Sequence, residues 1–461
     1  MARFSFKPEH AIVIGGSISG LLAAHVLAKT FKQVTVIDRD LYPEGPLARK
    51  GVPQSTQVHV FLRRGMLLLE EFFPGLDAEL ARAGAPQVDW MQDFAFYSRA
   101  GWGPRSHSSF LTRTSTRGLL EYLIRSHVAA NPRITFIQQI EVIELISDAA
   151  GRVRGVKGRP RSKDTGSLAT MLLEGDLVVD ASGRTSRTPR WLNSLGLQVP
   201  EEIIIDADLG YATRAFRIPE HFKSDWKILM VRDRPPYGTR GSVIMPVENE
   251  QWMVNMVGSG LDNPPVDEAG FLDFARSLIH PEIYDSIKNA EPVSSIHGYR
   301  RTENRLTRYE QIQHWPEGFL VIGDAFCAFN PIYGQGMSVA ALEARALERW
   351  LARPGSTLSF LKQLAHLVRT PWMLATTEDL LIINSKENSG GPLELMMRRY
   401  VDEVQWLAGS DLAAFRAFVK VMHMTSGPEA FFEPQIILKV LPLMMQHPYA
   451  LRSPAAPSLR S

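Results

Sequence analysis

The 461-residue chain holds a single cysteine, Cys327, which excludes an intramolecular disulfide framework and any cysteine-rich zinc site. No metal is expected, and the scarcity of thiols fits a reducing, cytoplasmic setting. Neither sign of charge is in excess: 51 Lys and Arg stand against 49 Asp and Glu, for a net +2. With no basic stripe, no nucleic-acid partner is expected. Long apolar runs are missing too. Ala11 to Ala28 is nearly free of charge, yet Gly15 to Ser17 and Ser19-Gly20 break its centre, and a strand pattern resumes at Val34-Thr35-Val36-Ile37. That stretch therefore reads as globular structure, not as a signal core or a membrane span. Internal repeats and low-complexity tracts are absent, and no Ser-His-Asp arrangement is evident.

What is present is an ordinary globular balance, with 45% hydrophobic and 22% charged residues over a length that suits two or three domains, or one large domain with an inserted lobe. Ala11 to Ile14 is short and continuously apolar, as a buried parallel strand should be. Gly20 to Lys29 reads as a helix with Leu22, Val26 and Leu27 on one face. Val34 to Ile37 closes a strand–helix–strand unit. Helical spacing returns from Phe61 to Ala83, ending near Gly84, and again from Thr116 to Ala129. Val153 to Val156 and Thr170 to Leu173 suggest a hairpin, followed by a buried strand over Asp176 to Asp180.

Between about 203 and 257 short strands alternate: Trp252, Val254 and Met256 face one way, Met253, Asn255 and Val257 the other. That pattern fits an antiparallel sheet, and with Met245 it offers adaptable apolar surface to a greasy ligand. From Ser338 onward nearly everything is helical, apart from a break at Asn388 to Pro392. Phe431 to Met445 reads as a packed terminal helix, and Ser453 to Ser461 as disordered tail.

Two loops carry chemistry. Gly15-Gly16-Ser17-Ile18-Ser19-Gly20 fills the turn between the first strand and helix, with Ser17 where the dinucleotide fingerprint asks for its middle glycine. The helix start beyond it offers free N–H groups and partial positive charge to a pyrophosphate. Asp38, followed by Arg39, ends the second strand about eighteen positions after Gly20, where an acid accepts ribose hydroxyls. The second loop follows the apolar strand Phe319 to Ile322. It runs from Gly323-Asp324 through Pro331 to Gly334-Gln335-Gly336-Met337 and opens a helix from Ser338 to about Leu351. A simple nicotinamide dehydrogenase has no reason to carry it. Asp324 is placed for ribityl hydroxyls, and the amides of Gly334 to Met337 for the pyrimidine edge of a flavin. The two loops together point to FAD.

In order and spacing, Gly15 to Gly20, Asp180-Ala181-Ser182-Gly183-Arg184 and Gly323-Asp324 resemble class A flavoprotein monooxygenases of the 4-hydroxybenzoate hydroxylase fold. Three stretches are similar to bacterial polyether polyene epoxidases and squalene-epoxidase-like enzymes: Gly51-Val52-Pro53-Gln54 leading to His59, Tyr299 to Glu310, and Phe329 to Met337. The resemblance covers roughly residues 10 to 350. It implies Asp38 at the adenosine ribose, Arg117 at the phosphates or ribityl chain, Asp324 at the ribityl or pyrophosphate portion and Gly334 to Met337 at the ring, with His59 and Pro331 near the flavin. Ser182 departs from the Asp-Gly motif tied to NADPH use, and Cys327 stands where aromatic hydroxylases often have His.

The expected fold is α/β: a Rossmann-like FAD-binding domain over residues 1–200 and 296–350, an inserted antiparallel-sheet substrate domain over 201–295, and a helical region over 351–461. The implied activity is epoxidation or hydroxylation of a hydrophobic polyene, polyketide or terpenoid by a flavin C4a-hydroperoxide, in secondary metabolism. Its partners would be O2, the substrate, and NAD(P)H or a separate flavin reductase as electron source. Peripheral membrane contact is compatible with the resemblance, stable insertion is not expected. The alternatives are a geranylgeranyl-reductase-like enzyme acting on isoprenoid double bonds and a non-catalytic module on the same scaffold. A flavin halogenase is disfavoured, since the Trp-x-Trp-x-Ile-Pro motif and an evident catalytic lysine are missing.

Overall fold

A computed structural model describes residues 8–161, 170–235, 237–383 and 392–446. At its centre lies a five-stranded parallel sheet, ordered Phe319–Val321, Leu177–Asp180, His10–Ile14, Gln33–Ile37, Ile134–Ile137. Both faces of the central strand His10–Ile14 are covered, so Ala11, Ile12 and Val13 lose all solvent exposure and a continuous apolar run is what survives there. The helix Ile18–Leu27 follows at once. It is apolar on every side because it is wedged between the sheet and the long helix Gly336–Ala352; Leu21, Leu22, Ala23, Ala24 and Leu27 are all fully buried.

The helical spacing from Phe61 to Ala83 resolves into two helices, Arg63–Phe72 and Leu76–Arg82. Pro74 and Gly75 divide them. Gly75 takes φ +91°, a left-handed conformation that a continuous helix cannot contain. The hairpin is present as Val153–Pro160 against Met171–Glu174, antiparallel with Met171 opposite Gly158.

A second, seven-stranded sheet runs in the order His297–Tyr299, Leu209–Arg217, Gln251–Ser259, Gly241–Val247, Ile228–Arg232, Phe94–Ser98, Gly101–Trp102. It therefore draws two strands from before residue 201 and one from after residue 295. One face, bearing Phe216, Leu229, Ile244, Trp252, Val254 and Met256, packs on Phe271, Phe274, Ile283 and Ile287 of two short helices. This corrects the reading of Trp252 and Met256 as ligand-facing surface: helices Glu268–Arg276 and Glu282–Ile287 close that face into a core. Met245 points the opposite way.

That opposite face carries Phe94, Phe96, Ile228, Met230, Val243 and Met245. It meets Val58 and Val60 on one side and Phe415, Phe418 and Met422 of the helix Leu412–Met422 on the other. The C-terminal region consists of Thr357–Ile383, Pro392–Leu407, Leu412–Met422 and Pro434–Gln446. The last helix buries Ile436 and Val440 against Tyr400, Val404 and Val421 but leaves Leu438, Leu441 and Met445 exposed. Residues 388–391 of the expected break and the tail from Ser453 lie outside the described residues. No helix among the described residues is long and apolar enough to cross a membrane.

Phe415 is fully buried between the sheet and its own helix. Phe415→Ala is expected to destabilise the protein by about 3–5 kcal/mol through lost transfer energy and the cavity left behind. Chemical denaturation measures this; a loss under about 1 kcal/mol would mean that the helix is not seated on the sheet.

Candidate active site

Both glycine loops open at the carboxyl ends of the central strands, where ligands bind in open α/β sheets. They line one cavity of about 560 Å³. Gly15, Gly16, Ser17, Ser19, Asp38 and Arg39 form one wall. Gly323, Asp324, Pro331, Gly334, Gln335, Gly336 and Met337 form the other, with His59 and Arg117 between them. Gly20 is not in the wall. A Cβ there would fall 1.8 Å from the Gly15 carbonyl oxygen, so this glycine is required by the close approach of helix and turn.

Ser17 is the N-cap of the first helix, but its hydroxyl does not cap. It donates to Glu121 Oε2 at 3.0 Å and accepts from the Arg117 guanidinium at 2.8 Å. The amides of that first turn are thereby left for a ligand, which a capping serine would have prevented. The place of the missing fingerprint glycine is thus taken by a hydroxyl drawn into a buried charge network.

Arg49 is the centre of that network. It is buried, and its guanidinium bonds Asp38 at 3.1 Å, Asp40 at 2.9 Å and Glu121 at 2.7 Å. Asp38 also accepts from the Gly16 amide at 2.8 Å and from the Tyr42 hydroxyl at 3.3 Å. The acid expected at the ribose therefore also braces the glycine turn. Burial pushes the Glu121 carboxyl upward, but Arg117 and Arg49 outweigh it and hold the group below the ordinary carboxylate range.

On the second wall, Asp324 keeps 33% of its side chain open, with Arg184 at 3.9 Å. Burial raises its pKa against the downward pull of Arg184 and Arg117. The Gly323 amide donates to Glu343 Oε2 at 2.7 Å; Glu343 is fully buried, and desolvation pushes its carboxyl up to about 8. Gly334 takes φ +62° to turn the chain into the helix Gly336–Ala352. A Cβ on Gly336 would lie 3.7 Å from Asp324 Oδ1, so the acid and the helix opening face each other.

His59 Nδ1 bonds the Gln57 carbonyl at 2.8 Å, and burial together with Arg117 lowers its pKa to about 4. It is a neutral imidazole at physiological pH. Cys327 is buried outside the cavity wall, and its thiol is pushed well up by burial, so it is not a nucleophile.

The residues present fit a large polar cofactor. The buried oxygens Ser19 Oγ, Ser182 Oγ and Gln335 Oε1 all belong to residues lining the cavity and have no protein partner. Two uncapped helix openings suit phosphate and an electron-rich ring edge. Arg49, Glu121, Glu343, Val58 and Val60 were not singled out from the sequence, and Arg184 entered only as the end of the Asp180 to Arg184 turn. For Arg49 the neighbouring Gly51 to Gln54 stretch gave a signal, and Lys50 to Gln54 lie in the wall. Within the stretch Tyr299 to Glu310, Arg301 reaches the wall, whereas Arg305 and Arg308 form ion pairs with Glu202, Glu303 and Glu310.

Two outcomes follow from the network. Arg49→Met strands buried carboxylates and is expected to cost about 3–5 kcal/mol in denaturation. The folded Glu121 carboxyl titrates below its unfolded value, so its stabilisation is full above the ordinary carboxylate range and fades as pH falls through the folded value. The gap in melting temperature between wild type and Glu121→Gln should be widest at neutral pH and close on acidification; a gap independent of pH would refute the assignment.

Residues 9–356 match the family model described as FAD binding domain. Protein Rv3254 of Mycobacterium tuberculosis is 29% identical over 366 residues, covering 77% of this chain and 76% of that protein. Squalene monooxygenase SE1 of Panax ginseng is 24% identical over 347 residues, 74% of this chain and 58% of the ginseng protein. Among solved structures, a flavoprotein/dehydrogenase from Cytophaga hutchinsonii superposes with a TM-score of 0.64 at 15% identity, covering 95% of this chain and 98% of that one. A glycine turn, a strand-end acid and a late Gly-Asp loop on one cavity, within a match across three quarters of the sequence, make this chain a member of the FAD binding domain family with the fold of class A flavoprotein monooxygenases.

Proposed function

We propose that this flavoprotein uses O2 to oxygenate a hydrophobic polyene, polyketide or terpenoid, by epoxidation or hydroxylation, in the secondary metabolism of the cytoplasm. One observation carries the substrate class. Val58 and Val60 belong both to the cofactor cavity wall and to the apolar cluster formed by Phe96, Met230 and Val243 of the sheet with Phe418 and Met422 of the C-terminal region. The cavity wall is therefore backed by apolar side chains at Val58 and Val60, and a greasy substrate brought there would exclude water from the reacting centre.

Bound FAD, once reduced, supplies the activated oxygen; the protein supplies position and dryness. In this reading Asp38, Arg39 and Arg117 hold the adenosine and phosphate end, with Gly15, Gly16, Ser17 and Ser19 giving the phosphates close approach to helix amides. Asp324 holds the ribityl chain. Gly334 to Met337 turn the helix opening toward the ring, a dipole contact worth about 0.3–1 kcal/mol when exposed and up to about 2 when partly buried. His59, neutral, adds no charge beside the ring, and Pro331 walls it. Ser182 in place of an acid leaves two electron sources: NAD(P)H bound directly, or a separate flavin reductase.

Incorporation of labelled O2 into product supports oxygenation. Saturation of an isoprenoid double bond without oxygen uptake would favour the reductase reading instead. Anaerobic addition of NADPH separates the electron sources, since bleaching of the flavin without a partner requires self-reduction. Asp324→Ala should leave a folded protein whose FAD affinity falls about 10- to 100-fold by fluorescence titration, as expected for one charged hydrogen-bond partner. Undiminished affinity would place the ribityl chain elsewhere.

A further inference from the structure

The turn Pro331-Ile332-Tyr333-Gly334 gives two residues to the cofactor cavity, yet one residue that holds it comes from outside the family match, which ends at residue 356. Asp379 lies on the helix Thr357–Ile383 and is fully buried. Its carboxylate accepts from Asn304 Nδ2 at 2.6 Å, from Asn330 Nδ2 at 3.1 and 3.3 Å, and from the Tyr333 hydroxyl at 2.6 Å. A second layer locks the same turn. The Asn330 amide donates to Asn304 Oδ1 at 2.8 Å, the Tyr211 hydroxyl donates to Asn330 Oδ1, and the Ile332 amide donates to the Tyr211 oxygen at 3.0 Å.

These donors are neutral, and Asn304, Asn330 and Tyr211 are themselves buried. A carboxylate taken out of water without a bonded cation is expensive unless several donors converge on it. Here they converge from a strand of the sheet Glu202–Ile205, Asn304–Thr307, Cys327–Ala328 and from the turn itself, so every donor surrenders its freedom to one acceptor. Nothing about packing alone calls for an acid at this point.

We propose that Asp379 is a positioning residue for the flavin ring: it fixes the Pro331–Gly334 turn so that Pro331 and Gly334 present one rigid wall to the cofactor. The inference rests on the reading that the ring lies at that end of the cavity. It makes the helix Thr357–Ile383 part of the active centre and not merely an appendage to the FAD-binding unit.

The test compares Tyr333→Phe, Asp379→Asn and the double variant as FAD-loaded proteins. Three readouts are taken: FAD affinity by fluorescence titration, visible circular dichroism of the bound flavin, and melting temperature without FAD. Tyr333→Phe should weaken FAD about 3- to 10-fold and Asp379→Asn about 10-fold or more, both altering the dichroism of the ring band. The double variant should be no worse than Asp379→Asn, because both changes break one network. Wild-type affinity and dichroism in both single variants would overturn the proposal, as would additive losses. Should Asp379→Asn fail to fold, an unchanged flavin spectrum in Tyr333→Phe is enough to reject it. Wild-type protein that takes up no FAD would remove the underlying reading, a failure visible before any variant is made.

Discussion

Three parallel strands decide where everything else can be. Ile14 lies opposite Asp180, and Asp180 opposite Val321, so the turns that follow residues 14 and 321 emerge at the same end of the sheet, one strand apart. Side-chain packing holds this register, since a slip by one residue would send the fully buried Ala11, Ile12 and Val13 to the opposite faces of the sheet. Both turns then lead into helices whose first amides are uncapped, and both helices pack on each other. A ligand spanning that cavity meets two positive helix ends, one at each wall.

Charge balance at the site is settled locally. Arg49 and Arg117 are spent on Asp38, Asp40 and Glu121, and none of the five is freely exposed. Such a network adds little net stability compared with apolar packing, but it fixes geometry, because breaking any one partner leaves a buried charge alone. Its product is the orientation of Ser17. On the second wall Glu343 and Asp379 do the corresponding work with neutral donors, Glu343 behind Gly323 and Asp379 behind the Pro331 turn.

Much of this was legible in the residues. Short continuous apolar runs at Ala11 and Val34 showed buried parallel strands, because nothing else buries both faces of four residues. Glycines at 15, 16, 334 and 336 showed tight turns at helix openings. Elements fixed by long-range packing were harder. Trp252 and Met256 have the right alternation for a sheet, but alternation does not say which face a later pair of helices will cover. Pro74 and Gly75 mark the helix break by ordinary turn chemistry, yet the apolar spacing on either side continues across it. Arg49, Glu121 and Asp379 were invisible for a different reason. A charged residue on a polar loop or an amphipathic helix reads as solvated, and only partners brought in by topology reveal otherwise: Glu121 is 72 positions from Arg49, and Asp379 is 75 from Asn304 and 46 from Tyr333.

The two walls of the cavity are separated by about 300 residues of chain, from Gly15–Gly20 to Gly323–Met337. At roughly 5–20 residues per second of synthesis, the second wall leaves the ribosome tens of seconds or more after the first. Until then the helix Ile18–Leu27, apolar on all sides, lacks the helix Gly336–Ala352 that will cover it. A cavity that needs both walls can therefore capture the coenzyme only near the end of translation or after release. Riboflavin shortage in a cell would accordingly act on a fully made apoprotein, not on an early folding nucleus.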